Sequence, residues 1–161
     1  MKVAVMSDIH DNLSALDRAL ARLDADVLLC CGDLCSPFVI DRIGRGFRGP
    51  IHVVFGNNDG DTFRISECAR RFDHVNLHGE FAELELGGRR CALHHFDAVA
   101  RALAAAGRYD VVCFGHTHRA EITSTGSTLL VNPGELFGGL TGRSTFALYD
   151  TRSSEADLME V

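Results

Sequence analysis

The chain begins with KVAVMSDIH, residues 2–10, in which a short apolar run passes directly into polar side chains. The run Lys2–Met6 predicts a buried β-strand. Four leucines then recur at helical spacing with charged residues between them, which predicts an amphipathic helix: Leu13, Leu16, Leu20 and Leu23. This stretch therefore predicts a strand–helix unit with two chemically capable side chains, Asp8 and His10, at the turn between its elements.

The same alternation continues along the chain. Further strands are predicted at Val27–Cys31 and Ile51–Phe55, and helices at Pro37–Gly46 and Phe63–Phe72. Continuous apolar strands that alternate with helices are typical of a parallel sheet with both faces covered. The second half is richer in strands and has one more helix, Val99–Ala106. Its predicted strands are Glu80–Leu86, Cys91–His94, Val111–Phe114, Glu121–Thr125, Thr128–Val131, Thr145–Tyr149 and Asp157–Val161. We expect residues 1–161 to form one α/β domain without a separate cap.

The net charge and the lengths of the apolar runs argue against several classes of protein. The net charge of -6 argues against a general nucleic-acid binder, which normally carries a basic face. No apolar run approaches the roughly 18 residues of a membrane span, and only six residues precede Ser7, too few for the apolar core of a signal peptide.

The six cysteines form no CxxC pair and mostly lie in apolar runs, which is typical of buried thiols in a reducing compartment. A redox role for Cys30 and Cys31 is the minor alternative. We expect a cytoplasmic protein, and its oligomeric state, including a homo-oligomer, stays open.

Metal-capable side chains follow five of the predicted strands. In an open α/β sheet this edge is where sites form. One such residue alone is weak evidence, because an Asp there often caps a helix and a His often serves structure. In Asp8-x-His10 and His116-x-His118, an extended backbone would put both side chains on one side. All five strand ends together predict a metal site, and the residues are Asp8, His10, Asp33, Asn57, His94, His116 and His118.

The types of these ligands narrow the choice of metal. Oxygen and imidazole nitrogen without thiolate suit Mn, Fe, Zn, Co or Ni better than Mg, Ca or a structural zinc cage. Seven ligands are too many for one such ion and enough for two. Two ions roughly 3.5–4 Å apart need a bridging ligand, and a carboxylate serves well.

Five motifs, in this order, resemble those of the calcineurin-like metallophosphoesterases: Asp8-x-His10, Gly32-Asp33, Gly56-Asn57-x-Asp59, a histidine that ends a later strand, and Gly115-His116-Thr117-His118. The compact length and the Asn132-Pro133-Gly134 loop resemble the small YfcE-type phosphodiesterases of bacteria and archaea. The resemblance implies a four-layer αββα sandwich with two divalent transition metals, Mn²⁺ first. It also implies hydrolysis of a small phosphodiester by in-line attack of a metal-bridging hydroxide.

The resemblance also implies roles by motif position. The first metal is expected on Asp8, His10, Asp33 and His118, and the second on Asn57, His94 and His116, with Asp33 as the bridge. The neutral amide of Asn57 would bind metal without adding negative charge against the phosphate. Asp59 would either orient neighbouring groups or cap the following helix, and both readings stay open. Asn12, at the start of the first helix, is expected to help hold phosphate.

Three positions depart from the family pattern. Larger members carry a histidine after the motif Asn, where it can protonate the leaving group. Here Asn58 stands there, and an amide can bind phosphate but cannot act as an acid near neutral pH. His95 replaces the usual Gly and is a candidate catalytic proton donor, although a supporting or surface histidine is at least as good an interpretation. Glu135 replaces a frequent Ser and would either add negative charge at the rim or face solvent.

Three functions are compatible with these residues. The missing acid and the missing cap favour a phosphodiesterase over a phosphomonoesterase or nucleotidase on the same site. The third is a binding scaffold like the phosphoesterase-like subunit of retromer, whose resemblance to the family goes with incomplete ligands. The present chain keeps all seven, which a scaffold does not need.

Overall fold

Two β-sheets face each other in the computed structural model, which describes residues 1–161. In chain order the elements are β1 (Lys2–Met6), α1 (Leu13–Arg22), β2 (Val27–Cys30), α2 (Pro37–Gly46), β3 (Ile51–Val53), α3 (Thr62–Ala69), β4 (Val75–Leu77), β5 (Phe81–Leu86), β6 (Arg89–His94), α4 (Asp97–Ala105), β7 (Val111–Cys113), β8 (Glu121–Thr125), β9 (Thr128–Asn132), β10 (Thr145–Asp150) and β11 (Glu155–Glu160). None of the helices is long and apolar enough to cross a membrane.

The strand order places both halves of the chain around one edge. The first sheet has the order β11-β10-β1-β2-β3-β4, with β1 to β4 parallel and β10 antiparallel to β1. The second has the order β5-β6-β7-β9-β8, in which β6, β7 and β9 are parallel. The parallel strands of each sheet therefore deliver the loops that follow them to a shared edge.

Three apolar clusters separate four layers. Helices α1, α2 and α3 cover the outer face of the first sheet through side chains such as Leu16, Ile40 and Ile65. A second cluster, which includes Val5 and Leu93, fills the space between the sheets. A third packs α4 on the outer face of the second sheet. The predicted four-layer αββα sandwich is confirmed.

Several predicted bounds shift by one to three residues, and two differences concern β3 and its neighbour. Strand β4 was not predicted, because a three-residue Val-Asn-Leu segment shows no alternation long enough to recognise; it pairs with β3, Ile51 opposite Val75. Strand β3 also ends earlier than predicted. Beyond Val53 the chain leaves the regular ladder, and Phe55 donates instead to the Gly79 carbonyl at 2.7 Å.

The cysteines are all free, and five of the six are buried. Burial raises the pKa of the Cys30 thiol to about 12 and that of Cys31 well above its usual value. Thiols of this kind are inert, so the structure gives no support to a redox role for the pair. Cys35 is the exception, because it is partly exposed beside the predicted site.

Candidate active site

Loops after β1, β2, β6 and β7 bring ligand-type atoms together at the shared edge. Two groups form there: Asp8 with His10 and His118, and Asp8 with Asp33 and His95. Within each group the candidate ligand atoms lie within 4.8 Å of one another. The first sheet supplies the carboxylates and His10, the second supplies His95 and His118, and Asp8 belongs to both groups.

Two atoms at the centre of the first group are buried without a hydrogen-bond partner: Asp8 Oδ1 and His10 Nε2. His10 Nε2 lies 3.9 Å from Asp8 Oδ1 and 3.4 Å from Asp33 Oδ2, and His118 Nε2 lies 3.4 Å from Asp8 Oδ1. A buried polar atom without a partner is destabilising, so native structures rarely keep one without a reason. Ligand atoms that share an ion at about 2.0–2.2 Å lie at such separations. The residues therefore fit a divalent cation.

The electrostatics of the group also favour a cation. Asp8 is the main cause of a raised pKa of His10, although at 3.9 Å it is too far for a hydrogen bond. Burial disfavours the charged form of Asp33, but contacts from His95 and Asn58 outweigh it and hold the pKa of this carboxyl well below its usual range. Asp33 is therefore ionised at neutral pH. Two buried carboxylates create a negative field that attracts a metal ion.

Asp33 belongs to the second group and also approaches a histidine of the first. Its Oδ2 is 3.4 Å from His10 Nε2 on one side and 3.5 Å from His95 Nε2 on the other. Asn58 donates to both carboxylate oxygens, from its backbone N–H to Oδ1 and from Nδ2 to Oδ2, each at 2.8 Å. This placement is compatible with the predicted bridging role, which stays a prediction.

Asn57 joins two histidines on the other side of Asp33. Its Oδ1 lies 3.0 Å from His95 Nε2 and 2.9 Å from His116 Nδ1. An amide oxygen and two imidazole nitrogens are thus grouped beside the second set of candidate ligand atoms. The role of Asn57 and His116 as ligands of a second metal stays a prediction.

Of the two histidines at the end of β6, His95 lies in a candidate ligand group and the predicted ligand His94 does not. His95 is fully buried, and its Nδ1 lies 2.7 Å from the Cys31 carbonyl, which directs Nε2 toward Asp33. His94 lies outside both groups and accepts a hydrogen bond from the Phe96 N–H at 3.0 Å. Side chains of a strand alternate, and Ala92 packs in the cluster under α4, so His94 shares that outer face. Because both ring nitrogens of His95 face protein groups, the structure also argues against His95 as the proton donor for a leaving group.

The backbone at the predicted ligands is left-handed rather than extended. Positive φ angles occur at five of them: Asp8 (52°), His10 (42°), Asp33 (55°), His116 (68°) and His118 (59°). The expectation that an extended chain aligns residues two apart is therefore wrong here. Left-handed backbone at a non-glycine residue costs on the order of 1–3 kcal/mol and persists where the surroundings enforce it, as at functional sites.

Two glycines let the loops approach one another. Gly56 has no left-handed φ, but a Cβ there would overlap the Asp33 carboxylate and lie 2.9 Å from His95 Cε1. A Cβ on Gly115 would overlap Ser7 Oγ and lie 2.6 Å from Asp8 Oδ2. These positions therefore require glycine for space, which places β3 and β7 against the carboxylates.

Asp59 orients the loops after β2 and β3. Its Oδ1 accepts from the backbone N–H groups of Leu34 at 2.7 Å and Cys35 at 2.9 Å. Its Oδ2 accepts from those of Gly56 at 2.7 Å and Asp33 at 3.1 Å. The orienting interpretation is confirmed and the capping one is wrong, because Asp61 caps α3 by accepting from the Arg64 N–H.

Asn12 and Asn58 differ from each other in their contacts. Asn12 Oδ1 caps α1 by accepting from the Ala15 N–H at 3.1 Å, and its Nδ2 donates to the Phe137 carbonyl at 2.7 Å. With both ends engaged, Asn12 serves structure, which corrects the expectation that its side chain holds phosphate. Asn58 lines the cleft beside the ligand groups, so its contact with substrate stays a prediction.

The cleft over the first group has a volume of about 450 Å³. Its lining consists of His10, Cys35, Asn58, His118, Phe137 and Leu140. One contact there has no counterpart among the sequence predictions: Cys35 Sγ lies 3.4 Å from His10 Nδ1, on the side of the ring opposite Nε2. The polar floor and the apolar wall can accept a phosphate ester with a sizeable organic group.

Glu135 neither adds charge at the rim nor faces solvent. It is fully buried and accepts a hydrogen bond from His118 Nδ1 at 2.7 Å. Burial raises the pKa of this carboxyl, but hydrogen bonds from His118, Thr141 and Leu140 outweigh that effect and lower it overall. Both expectations for Glu135 are therefore wrong, because its buried charge is stabilised by hydrogen-bond donors inside the protein.

The sandwich and its paired ligand groups define a metallophosphoesterase-like protein. The family model for the calcineurin-like phosphoesterase superfamily domain matches residues 1–154. The chain therefore belongs to the calcineurin-like phosphoesterase superfamily, as the motifs predicted.

Individual relatives agree with this assignment. A curated protein of Methanocaldococcus jannaschii, named as a phosphodiesterase, is 32% identical over 161 residues, which cover 96% of each chain. A solved structure described as a novel archaeal phosphodiesterase has a TM-score of 0.92 at 29% identity and covers 100% of both chains. YfcE, a phosphoesterase from E. coli, has a TM-score of 0.68 at 22% identity, with 100% of this chain and 98% of that chain covered. The likeness to YfcE shows the fold alone.

Proposed function

We propose that the chain is a phosphodiesterase that uses two divalent metal ions, Mn²⁺ first and Fe, Zn, Ni or Co as alternatives. The observation that carries the proposal is the pair of ligand groups around Asp8 and Asp33, with two buried atoms that lack any other partner. The first ion is assigned to Asp8, His10, Asp33 and His118. The second is assigned to Asp33, Asn57, His95 and His116. The relatives named as phosphodiesterases support the same reaction.

The residues divide the work of such a reaction. Divalent ions held by these residues would supply an activated water for in-line attack on phosphorus and positive charge for the phosphoryl oxygens. Asp33 stays ionised between His10 and His95 and is held there by Asn58. Asn57 contributes a neutral oxygen, so it does not repel the phosphate. Asp59 fixes the loops that carry Asp33 and Asn57.

Metal loading is the direct test of this function. We expect the metal-free chain to bind two Mn²⁺ ions in a calorimetric titration and to hydrolyse bis-p-nitrophenyl phosphate only when they are bound. p-Nitrophenyl phosphate is a monoester with the same leaving group, so comparing the two rates separates diesterase from monoesterase activity. A purified chain that binds no transition metal and gains no activity with Mn²⁺ would be a scaffold rather than an enzyme.

The adjacent histidines give this test a matched control. His95→Ala should bind one Mn²⁺ fewer, because His95 faces Asp33 and Asn57. His94→Ala should keep both ions, because His94 lies outside both groups. Circular dichroism of the metal-free variants checks that each is folded, and the reverse result would return the ligand role to His94.

Asn58 predicts how the enzyme depends on its leaving group. Asn58 lines the cleft and has no proton to give near neutral pH, so good leaving groups should be strongly preferred. We expect Asn58→His to raise kcat/KM for an alkyl leaving group, relative to nitrophenol, by about tenfold, which is below the usual contribution of a well-placed general acid. Asn58→Ala, which loses the amide without gaining an acid, is the control. An equal change for both leaving groups would show that position 58 does not deliver the proton.

A further inference from the structure

The carboxylate of Glu135 contacts two different parts of the site. Oε2 accepts from His118 Nδ1 at 2.7 Å. Oε1 accepts from the backbone N–H of Leu140 at 3.0 Å, and from the N–H and Oγ1 of Thr141 at 2.6 Å and 2.8 Å. The side chain is fully buried. One buried group therefore holds a proposed metal ligand with one oxygen and a loop with the other.

The contact with His118 fixes which ring nitrogen carries the proton. A carboxylate can only accept, so Nδ1 donates to Glu135 and the lone pair is left on Nε2. Nε2 is the nitrogen that lies 3.4 Å from Asp8 Oδ1, inside the first ligand group. A carboxylate on the far nitrogen also makes the imidazole a more basic ligand.

The contact with the loop shapes the wall of the cleft. Residues 136–143 carry Phe137 and Leu140, and both line the cleft next to His118. The Leu140 side chain is 71% exposed, so packing does little to hold it. Its position depends instead on the backbone bonds to Glu135 Oε1.

We infer that Glu135 is a positioning residue that couples metal binding at His118 to the position of the cleft wall at Leu140. The inference rests on the proposed function, because it needs a metal ion on His118. When the ring is ligated through Nε2, Nδ1 becomes a stronger donor and holds Glu135 more tightly. The same carboxylate then orders the loop that contacts the organic part of the substrate.

Glutamine at this position cannot keep both contacts. If its oxygen stays on the Leu140 and Thr141 N–H groups, its NH₂ faces His118 and moves the proton to Nε2, the metal-binding nitrogen. If the amide is reversed, its NH₂ faces two N–H donors of the loop. Glu135→Gln therefore breaks the coupling while it preserves size.

The first experiment measures the affinity for Mn²⁺ by calorimetry. We expect Glu135→Gln to lower the affinity of one of the two sites for Mn²⁺ by about 10–100-fold, the usual effect of losing a partner behind a metal ligand. Glu160→Gln is the matched control, because Glu160 pairs with Arg143 of the same loop from the exposed side and the charge change is identical. Its affinity should match that of the unaltered chain. Equal affinity of Glu135→Gln and the unaltered chain would overturn the inference.

The second experiment is decided first on the unaltered chain, so it does not rest on the variant alone. Addition of Mn²⁺ to the unaltered chain should slow amide hydrogen exchange at Leu140 and Thr141, and Glu135→Gln should lose that response. If Mn²⁺ leaves the exchange rates of these amides unchanged, the coupling is overturned, even where Mn²⁺ binds and activates the enzyme. A chain that binds no Mn²⁺ would instead overturn the proposed function, and this inference with it.

Discussion

Replacing Asp33 with asparagine should lower kcat/KM for bis-p-nitrophenyl phosphate by more than about 100-fold while the chain stays folded. Even partners behind a metal ligand change activity by about 10–100-fold. Asp33 lies within 3.5 Å of a histidine from each ligand group. Asparagine keeps the size but loses the charge, so it cannot serve two cations as a bridge. Steady-state kinetics with a calorimetric count of bound Mn²⁺ measures both effects.

The fold should survive this change because the backbone of Asp33 keeps its own three hydrogen bonds. Its carbonyl accepts from the N–H groups of Ile9 at 3.0 Å and His10 at 3.1 Å, and its own N–H donates to Asp59. Asparagine also removes a negative charge close to Asp8. Circular dichroism and the thermal midpoint of the metal-free protein should therefore change little.

Asp11→Asn is the control for a loss of charge near the site. Asp11 is exposed, also has a positive φ, and contacts Ser36 rather than a ligand group. We expect it to keep both Mn²⁺ ions and its activity. If Asp33→Asn retained activity comparable with that of Asp11→Asn, the bridging assignment would be wrong.

The sequence predicted most of the fold because its signals are local. Buried parallel strands are continuous apolar runs, and the helices between them carry regular apolar faces. The bounds of β1, α2 and β8 are as predicted. Strand β4 was missed because it has only three residues, and its pairing with β3 depends on chain brought close by folding.

The site was predicted in its ligand types but not in every position. Polar residues after buried strands locate the edge, yet His94 and His95 are adjacent and only one can face it. To choose between them, one must know which face of β6 is covered by α4. The packing of Ala92 against α4 shows this, but only in the folded structure. The positive φ angles, and the need for a residue without a side chain at Gly56, likewise depend on loops that meet only in the folded protein.

Glu135 shows the same limit in its clearest form. From sequence, an acidic residue after a Pro-Gly turn is a surface residue, because an unpaired buried carboxylate is unfavourable. Its donors come from His118, which precedes it in the chain, and from Leu140 and Thr141, which follow it. The placement of donors from three residues around one carboxylate is a tertiary property that composition and spacing do not encode.

Asp59→Ala should destabilise the protein and also remove its activity. Asp59 is 8% exposed and accepts four backbone N–H groups, from Asp33, Leu34, Cys35 and Gly56. Each buried donor left without a partner costs about 1–3 kcal/mol, so we expect the free energy of unfolding to fall by about 3 kcal/mol or more. Chemical denaturation of the metal-free protein measures that loss.

Activity should fall further than stability alone explains, because the released loops carry Asp33 and Asn57. At a temperature where Asp59→Ala remains folded, we expect both kcat and the affinity for Mn²⁺ to fall. Asp61→Ala is the matched control two residues away, since Asp61 caps α3 and pairs with Arg64 without contacting either ligand group. It should lose some stability and keep its activity. Should both variants lose activity in proportion to stability, Asp59 would be a structural residue only, and its orienting role would have no catalytic consequence.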